Sequence, residues 1–196
     1  MKRSRVFLFL FVVCLAVSIS KAASWKMDKA HSQVKFSVAH LVISEVTGVF
    51  HDFDVTLTAD KPDFSDAQVD ATIQTSSIDT GIPNRDKHLR SNDFLNAEKF
   101  PLMTFKSTGI EKAGENTYRI TGFLTIRDST KSVVLDTQYT GTVKGLGGNL
   151  TAAFKATTTI NRFDFGANWN KTIETGGLIA GKDVEITLLM EFTKPQ

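Results

Sequence analysis

The chain has 196 residues, of which 41% are hydrophobic and 22% charged, and its formal net charge is +2. It is long enough to bury the core of a single domain, and its only cysteine, Cys14, excludes a framework of disulfides within the chain. The nearly balanced charge excludes the strongly basic surface that nucleic-acid binding requires.

The first 22 residues are predicted to form a secretory signal peptide. Lys2, Arg3 and Arg5 precede an apolar run over 6–17, and small residues around Ala22 suit a cleavage site. The apolar run is shorter than the roughly 20 residues of a membrane-spanning helix. We therefore expect cleavage and export rather than an anchored N-terminus.

Removal of residues 1–22 would change the composition. It takes away Cys14 and four basic residues, so 19 basic residues face 21 acidic ones and the net charge becomes −2. We expect a periplasmic or secreted protein in which residues 23–196 form one domain. We expect it to bind no nucleic acid and to have no stable membrane insertion after cleavage.

Alternation of apolar and polar residues, which is typical of β-strands, runs through most of the remaining chain. The clearest apolar rows lie at 34–40, 53–59, 69–73, 120–126, 150–156 and 184–192. About eight sequential antiparallel strands favour a closed barrel, because closure removes exposed sheet edges. Such a barrel encloses side chains or one small ligand. A filled β-sandwich is the alternative that this pattern leaves open.

Residues 77–105 form an unusually long connection between two strand-like runs, and helical signal is confined to about 85–99 and a turn at 161–165. Its polar cluster has two interpretations. Arg85 and His88 could present donors to a polar or anionic head group. Alternatively, Arg85 and Asp86 could pair with each other or with the barrel rim.

The end of this connection is predicted to cover the barrel. Asp93 could cap a short helix whose Phe94 and Leu95 turn down into the interior. The insertion would then act as a lid or plug.

The sequence favours neither a metal site nor a hydrolase site. His31 and His40 are separated by an odd number of residues and face opposite sides of one strand, so a metal site with His51 lacks converging ligands. Asp28, His31 and Ser32 could suggest a hydrolase, but the chain contains no G-x-S-x-G elbow. We expect no metal site and no enzyme activity. His40 is expected to be a satisfied, inward-facing histidine.

Motifs throughout the chain resemble those of the YceI-like family of bacterial lipocalin-like, polyisoprenoid-binding proteins. They are Trp25-x-x-Asp28-x-x-His31-Ser32, Gly48-Val49-Phe50, Thr80-Gly81, Arg85-Asp86, His88-Leu89, Asp93-Phe94, Pro101, Phe105, Gly122-x-Leu124-Thr125-Ile126, Asn161–Gly166 and Trp169. The matches cover essentially all of residues 25–192 in the family's order.

This resemblance implies an all-β, elongated lipocalin-like barrel of about eight strands with a short helical insertion. It implies a periplasmic carrier that holds a long-chain polyisoprenoid or similar lipid non-covalently, with no other cofactor. The expected ligand-binding residues are Phe36, Val38, His40, Phe50, Arg85, His88, Phe94, Phe105, Leu124, Phe154, Phe165 and Trp169. The alternative function is a secreted, stress-related interaction protein with a filled barrel. Whether the chain forms a homodimer stays open.

Overall fold

The computed structural model describes residues 23–145 and 147–194, so the predicted signal peptide lies outside the described residues. Eleven strands form one antiparallel sheet. They are β1 Ser24–Met27, β2 Gln33–His40, β3 Ser44–Phe50, β4 Phe53–Thr58, β5 Gln68–Gln74, β6 Ile78–Asp79, β7 Leu102–Gly114, β8 Thr117–Ile126, β9 Ser129–Lys144, β10 Leu150–Asn161 and β11 Ala180–Lys194. The α-helix α1 covers Pro83–Arg90, and 3₁₀ turns cover Thr75–Ser77 and Arg162–Phe165.

Eight of these strands close into a barrel. The order of the ring is β1-β4-β5-β7-β8-β9-β10-β11, and β1 pairs with β11 to complete it. The apolar rows of the sequence face inward along these strands, because successive side chains alternate between the two faces of a sheet. The predicted all-β barrel of about eight strands is confirmed.

β11 carries two different partners along its second edge. Its C-terminal end pairs with β1, through Met27 and Phe192, whereas the stretch from Ala180 to Leu189 pairs with β2. β2 pairs with β3, which pairs with β6, so three strands extend the wall at one end of the ring. We call this end, with α1 and the connections after β8 and β10, the mouth.

Phe64 closes the opposite end. Its side chain is 2% exposed, and its ring centroid lies 5.1 Å from that of Trp25, 5.2 Å from Tyr139 and 5.0 Å from Phe154. The hydroxyl of Tyr118 donates a hydrogen bond to the Asp63 carbonyl and ties the same loop to β8. We call this region the closed end.

The helical insertion is shorter than predicted. α1 begins with Pro83 at its first turn, where a missing N–H has no consequence, and it ends at Arg90 rather than near residue 99. Ser91 stops it by donating from its N–H and its Oγ to the His88 carbonyl, and Asn96 then adopts a left-handed backbone. The turn predicted at 161–165 is confirmed as a 3₁₀ turn. No helix in the described ranges is long and apolar enough to span a bilayer.

Candidate functional site

A cavity of about 390 Å³ occupies the inside of the barrel. Its wall is built from residues of β2 to β11, together with α1 and the 3₁₀ turn after β10. The volume falls within the range of roughly 300–1,000 Å³ that is usual for small-molecule sites. Since the wall reaches from Phe64 at the closed end to His40 at the mouth, the cavity follows the long axis of the barrel.

The structure places all twelve residues predicted from the sequence on this wall. They are Phe36, Val38, His40, Phe50, Arg85, His88, Phe94, Phe105, Leu124, Phe154, Phe165 and Trp169. They therefore surround one space, and their contact with a ligand stays a prediction.

Two glycines let aromatic rings lie flat across neighbouring strands. A Cβ atom at Gly48 would lie 2.4 Å from Cζ of Phe36, and one at Gly122 would lie 2.4 Å from Cζ of Phe105. Such distances are far below van der Waals contact, so only glycine permits these ring positions. The rings form part of the wall because the glycines let them rest against the adjacent strands.

Charge is distributed unevenly along the cavity. The ionisable wall residues other than Tyr118 are all basic: Lys35, His40, Arg85, His88 and Arg162. No Asp or Glu occurs among the described residues that line the cavity. Arg85, His88, Arg162 and His40 belong to the elements that form the mouth, so the basic side chains of the wall are concentrated there.

The sequence left open whether Arg85 and Asp86 pair with each other or with the barrel rim, and the pair between them is not formed. Both side chains bind Thr80 instead: Arg85 donates from Nε to Thr80 Oγ1 at 2.7 Å and from Nη2 to the Thr80 carbonyl at 2.8 Å. Asp86 is buried and accepts from the Thr80 N–H at 2.9 Å and from its hydroxyl. The cluster therefore fixes α1 to the chain after β6, and one Arg85 nitrogen, Nη1, remains outside these bonds.

The prediction that Asp93 caps a helix is wrong, because residues 91–99 form turns. Asp93 instead accepts a hydrogen bond from His88 Nε2 at 2.8 Å. The His88 ring packs at 5.0 Å from Phe94 and 5.5 Å from Trp169, edge to face in both cases. Phe94 and Leu95 both line the cavity, so this segment does turn into the barrel as predicted.

Two arginines that were not among the predicted site residues hold this segment in place. Arg127, at the turn between β8 and β9, donates from Nη1 to the carbonyls of Phe94 at 2.9 Å and Gly166 at 2.6 Å. Arg162 is 6% exposed, donates to the carbonyls of Gly181 and Ala180, and lies with its guanidinium 5.5 Å from the Phe94 ring centroid. Burial lowers the pKa of Arg162 from its ordinary value, and the group stays charged because arginine does not deprotonate in proteins.

His40 matches the prediction of an inward, satisfied histidine. Its Nδ1 lies 3.1 Å from the carbonyl oxygen of Ile179, and both residues line the cavity. Because its position opposite Ala180 starts the pairing of β2 with β11, His40 marks the mouth end of that seam.

The Asp28, His31 and Ser32 motif joins β1 to β2. Asp28 accepts from His31 Nδ1 at 3.0 Å, and this side-chain hydrogen bond raises the pKa of His31 and lowers that of Asp28. The Ser32 hydroxyl is bonded to the backbone of Glu191, accepting from its N–H at 3.0 Å. These bonds connect β1 and β2 to β11 at the point where β11 changes from one partner strand to the other. They do not align Ser32 with His31 for nucleophilic attack.

The same turn brings three potential metal ligands together, with donor atoms of Asp28, His31 and Glu191 within 4.8 Å of one another. All three are partly or fully exposed, and Asp28 already accepts from the N–H groups of Ala30 and His31. The other two histidines of the candidate metal set lie elsewhere: His51 is bonded to Asp79 and His40 faces Ile179.

The sequence and the fold have clear relatives. The sequence model of the YceI-like domain matches residues 25–192. This chain belongs to the YceI-like family. A UPF0312 protein of Staphylococcus epidermidis is 38% identical to it over 170 residues, which cover 86% of this chain and 96% of the relative.

Solved structures of the family share its barrel. A YceI protein of Campylobacter jejuni is 34% identical, has a TM-score of 0.70, and the match covers 86% of this YceI-like chain and 96% of the other. A polyisoprenoid-binding domain from Saccharophagus degradans has a TM-score of 0.62 at 13% identity, with 89% and 100% of the chains covered. At that identity the likeness is one of fold alone.

Proposed function

We propose that this YceI-like protein binds a long-chain lipid non-covalently inside its barrel and carries it outside the cytoplasm. The observation that carries the proposal is the elongated cavity, whose wall is apolar along its length and basic at the mouth. Apolar walls favour hydrocarbon, because burial of a chain removes its surface from water. Membership of the family supports a polyisoprenoid or a similar chain as the ligand.

The polar end of the ligand would lie at the mouth. Arg85 Nη1 is outside the bonds to Thr80, and His88 adds a second polar side chain to the same stretch of wall. With no carboxylate among the described wall residues, the mouth favours an anionic or strongly electron-rich head group.

Organic extraction of the purified protein followed by mass spectrometry tests this function. We expect a lipid with a long hydrocarbon chain at close to one molecule per protein. Protein that is consistently free of lipid, and that takes up none from mixed micelles, would favour the alternative of a secreted interaction protein. The 390 Å³ cavity already argues against the filled barrel which that alternative assumed.

The mouth residues should distinguish head groups. Replacing Arg85 and His88 together by Ala should weaken binding of a polyprenyl phosphate by about 10- to 100-fold, since a charge-assisted contact contributes roughly 1.5–3 kcal/mol. Binding of the uncharged polyprenol of the same length should hardly change. Titration of both ligands into delipidated protein measures the difference.

Lys87→Ala is the matched control, because Lys87 is exposed on the same helix and does not line the cavity. Its affinity for both ligands should equal that of the wild type. Arg85 also holds Thr80, so the double variant should unfold somewhat more easily, and affinity must be expressed per folded molecule. Equal weakening for phosphate and alcohol would show that the cluster is only structural.

Export gives a separate prediction. The protein should begin near Ala23 after processing, and it should contain no thiol because Cys14 is removed with the first 22 residues. N-terminal sequencing and reaction with a thiol reagent check both points. A purified protein that still reacts with the reagent would contradict cleavage.

A further inference from the structure

The tip of the β2–β3 hairpin exposes apolar side chains to an unusual degree. Val42 is 69% exposed and Ile43 is 87% exposed, and both stand beside the half-buried Leu41. Single exposed apolar residues are common on protein surfaces. Consecutive ones at a hairpin tip are different, because this is where polar turn residues normally lie.

The backbone of this turn makes the choice of residues more unusual. Leu41 has a φ of 52° and Val42 a φ of 67°, so both adopt the left-handed region. They are the two central residues of a turn closed by the hydrogen bond from the Ile43 N–H to the His40 carbonyl at 3.2 Å, and turns with two positive φ values strongly prefer Asn, Asp and Gly. A β-branched residue there is an outlier that costs about 1–3 kcal/mol and often marks a functional site. Neither turn geometry nor solubility explains Leu-Val-Ile at this position.

The tip adjoins the mouth of the cavity. The Leu41 N–H donates to the Ile179 carbonyl at 2.9 Å, and both Ile179 and the neighbouring His40 line the cavity. Gly177 packs against the tip, since a Cβ atom there would lie 2.7 Å from Cγ2 of Val42. The exposed tip is therefore bonded directly to a residue of the cavity wall.

The helix beside the mouth adds charge of one sign. The side chains of Arg85, Lys87 and Arg90 are exposed or half-exposed, whereas the only acidic residue of α1, Asp86, is buried against Thr80. Ile82, 49% exposed, lies immediately before the helix. Cations beside exposed apolar side chains are the combination that binds the surface of an anionic bilayer.

Acidic groups near the tip limit the electrostatic part. Glu45 is exposed on β3 and accepts a hydrogen bond from the Ser37 hydroxyl at 2.9 Å, and Glu174 is exposed in the loop that ends at Gly177. Apolar contact by Val42 and Ile43 must therefore supply most of the attraction.

We propose that the mouth docks reversibly on an anionic lipid bilayer, with Val42 and Ile43 reaching into the interface and α1 facing the head groups. The docking takes its purpose from the proposed function, because a lipid that enters this cavity has to leave a membrane. Docking places the mouth against the bilayer that holds the lipid, so that the hydrocarbon chain of the lipid can enter the cavity without crossing water.

Flotation with vesicles of phosphatidylethanolamine and phosphatidylglycerol tests the docking. The experiment uses the protein in the form that its host produces after processing. The wild type should float with the vesicles. The double variant Val42→Asp/Ile43→Asp should bind the vesicles at least about tenfold more weakly, because charged side chains do not enter the interface. Val143→Asp is the matched control. Val143 is 66% exposed, and it lies beside the β9–β10 turn at the closed end.

Three outcomes would overturn the docking: no flotation of the wild type, equal flotation of the tip variant, or sedimentation showing a wild-type dimer that the tip variant dissociates. The last would mean that a second copy covers the tip. Lipid extraction of the wild type, compared with its flotation, separates the two proposals. Bound lipid without vesicle binding by the wild type removes the docking alone, whereas vesicle binding by a protein that never contains lipid removes the carrier function.

Discussion

Phe64→Ala should lower the free energy of unfolding by about 3–5 kcal/mol, the usual range for truncating a fully buried aromatic residue. Phe64 is 2% exposed and packs against three aromatic rings at the closed end, so its truncation removes all three ring contacts and enlarges the cavity that Phe64 borders. Urea unfolding of the delipidated variant measures the effect.

Phe36→Ala is the internal comparison for this prediction. Phe36 is half-buried, lines the cavity and has Phe50 as its aromatic neighbour, at 5.7 Å. Because Phe36 is less buried than Phe64 and has one aromatic neighbour where Phe64 has three, its truncation should destabilise the delipidated protein clearly less than Phe64→Ala does. Equal losses from the two substitutions would contradict an open cavity beside Phe36.

The period-two pattern predicted most of the barrel. On β11, the sequence row Val184, Ile186, Leu188, Met190 and Phe192 faces the interior, and each of these residues lines the cavity. Alternation is informative here because it follows from backbone geometry, whatever the partner strand. The motifs of the 77–105 and 161–169 segments then placed polar residues at the mouth, where Arg85, His88 and Trp169 are found.

Closure of the ring could not be predicted in the same way. It depends on one edge of β11 changing its partner strand from β2 to β1. The change occurs near Glu191, whose N–H donates to the Ser32 hydroxyl and whose carbonyl accepts from the Asp28 N–H. Alternation describes faces and contains no information about which edges meet. The closed end was missed for a related reason, since Phe64 lies in a loop and belongs to no alternating row.

The polar cluster shows a second limit of sequence reasoning. Arg85 and Asp86 are adjacent in sequence and opposite in charge, which suggested a pair, but neighbouring residues on a helix point in different directions. Thr80, five and six residues before them, binds both side chains. Arg127 and Arg162 were not among the predicted site residues, because their partners are backbone carbonyls and sequence alone gives no sign of a carbonyl acceptor.

Arg127 and Arg162 hold the segment at the mouth that the proposed ligand would have to pass. Arg127 bonds the carbonyls of Phe94 and Gly166, so it ties the segment that turns into the barrel to the connection after β10. Arg162, the first residue of that connection, has its guanidinium 5.5 Å from the centroid of the same Phe94 ring. Movement of Phe94 away from the cavity would break contacts with both guanidinium groups. The segment around Phe94 is therefore held in one position at the mouth.

Ala156→Phe should abolish lipid loading while leaving the fold intact. Ala156 is buried on β10 with its side chain on the cavity wall, and it is paired with Leu188 on one side and Thr137 on the other, both wall residues. A phenylalanine ring at this midpoint would project across the path of any chain that follows the barrel axis. The open space should accept the ring, so the change in stability should stay below the roughly 1–3 kcal/mol typical of an overpacked core.

The experiment compares bound lipid per folded protein, after purification in parallel, for the wild type, Ala156→Phe and Thr159→Phe. Thr159 is exposed on the same strand and does not line the cavity, so the same ring placed there should leave lipid content unchanged. Full lipid content in Ala156→Phe would mean that the ligand lies outside the barrel. Destabilisation by several kcal/mol would mean that the wall closes on itself around Ala156. Loss of lipid from a stable Ala156→Phe variant, with Thr159→Phe unaffected, is the result that a lipid chain running through the middle of the barrel requires.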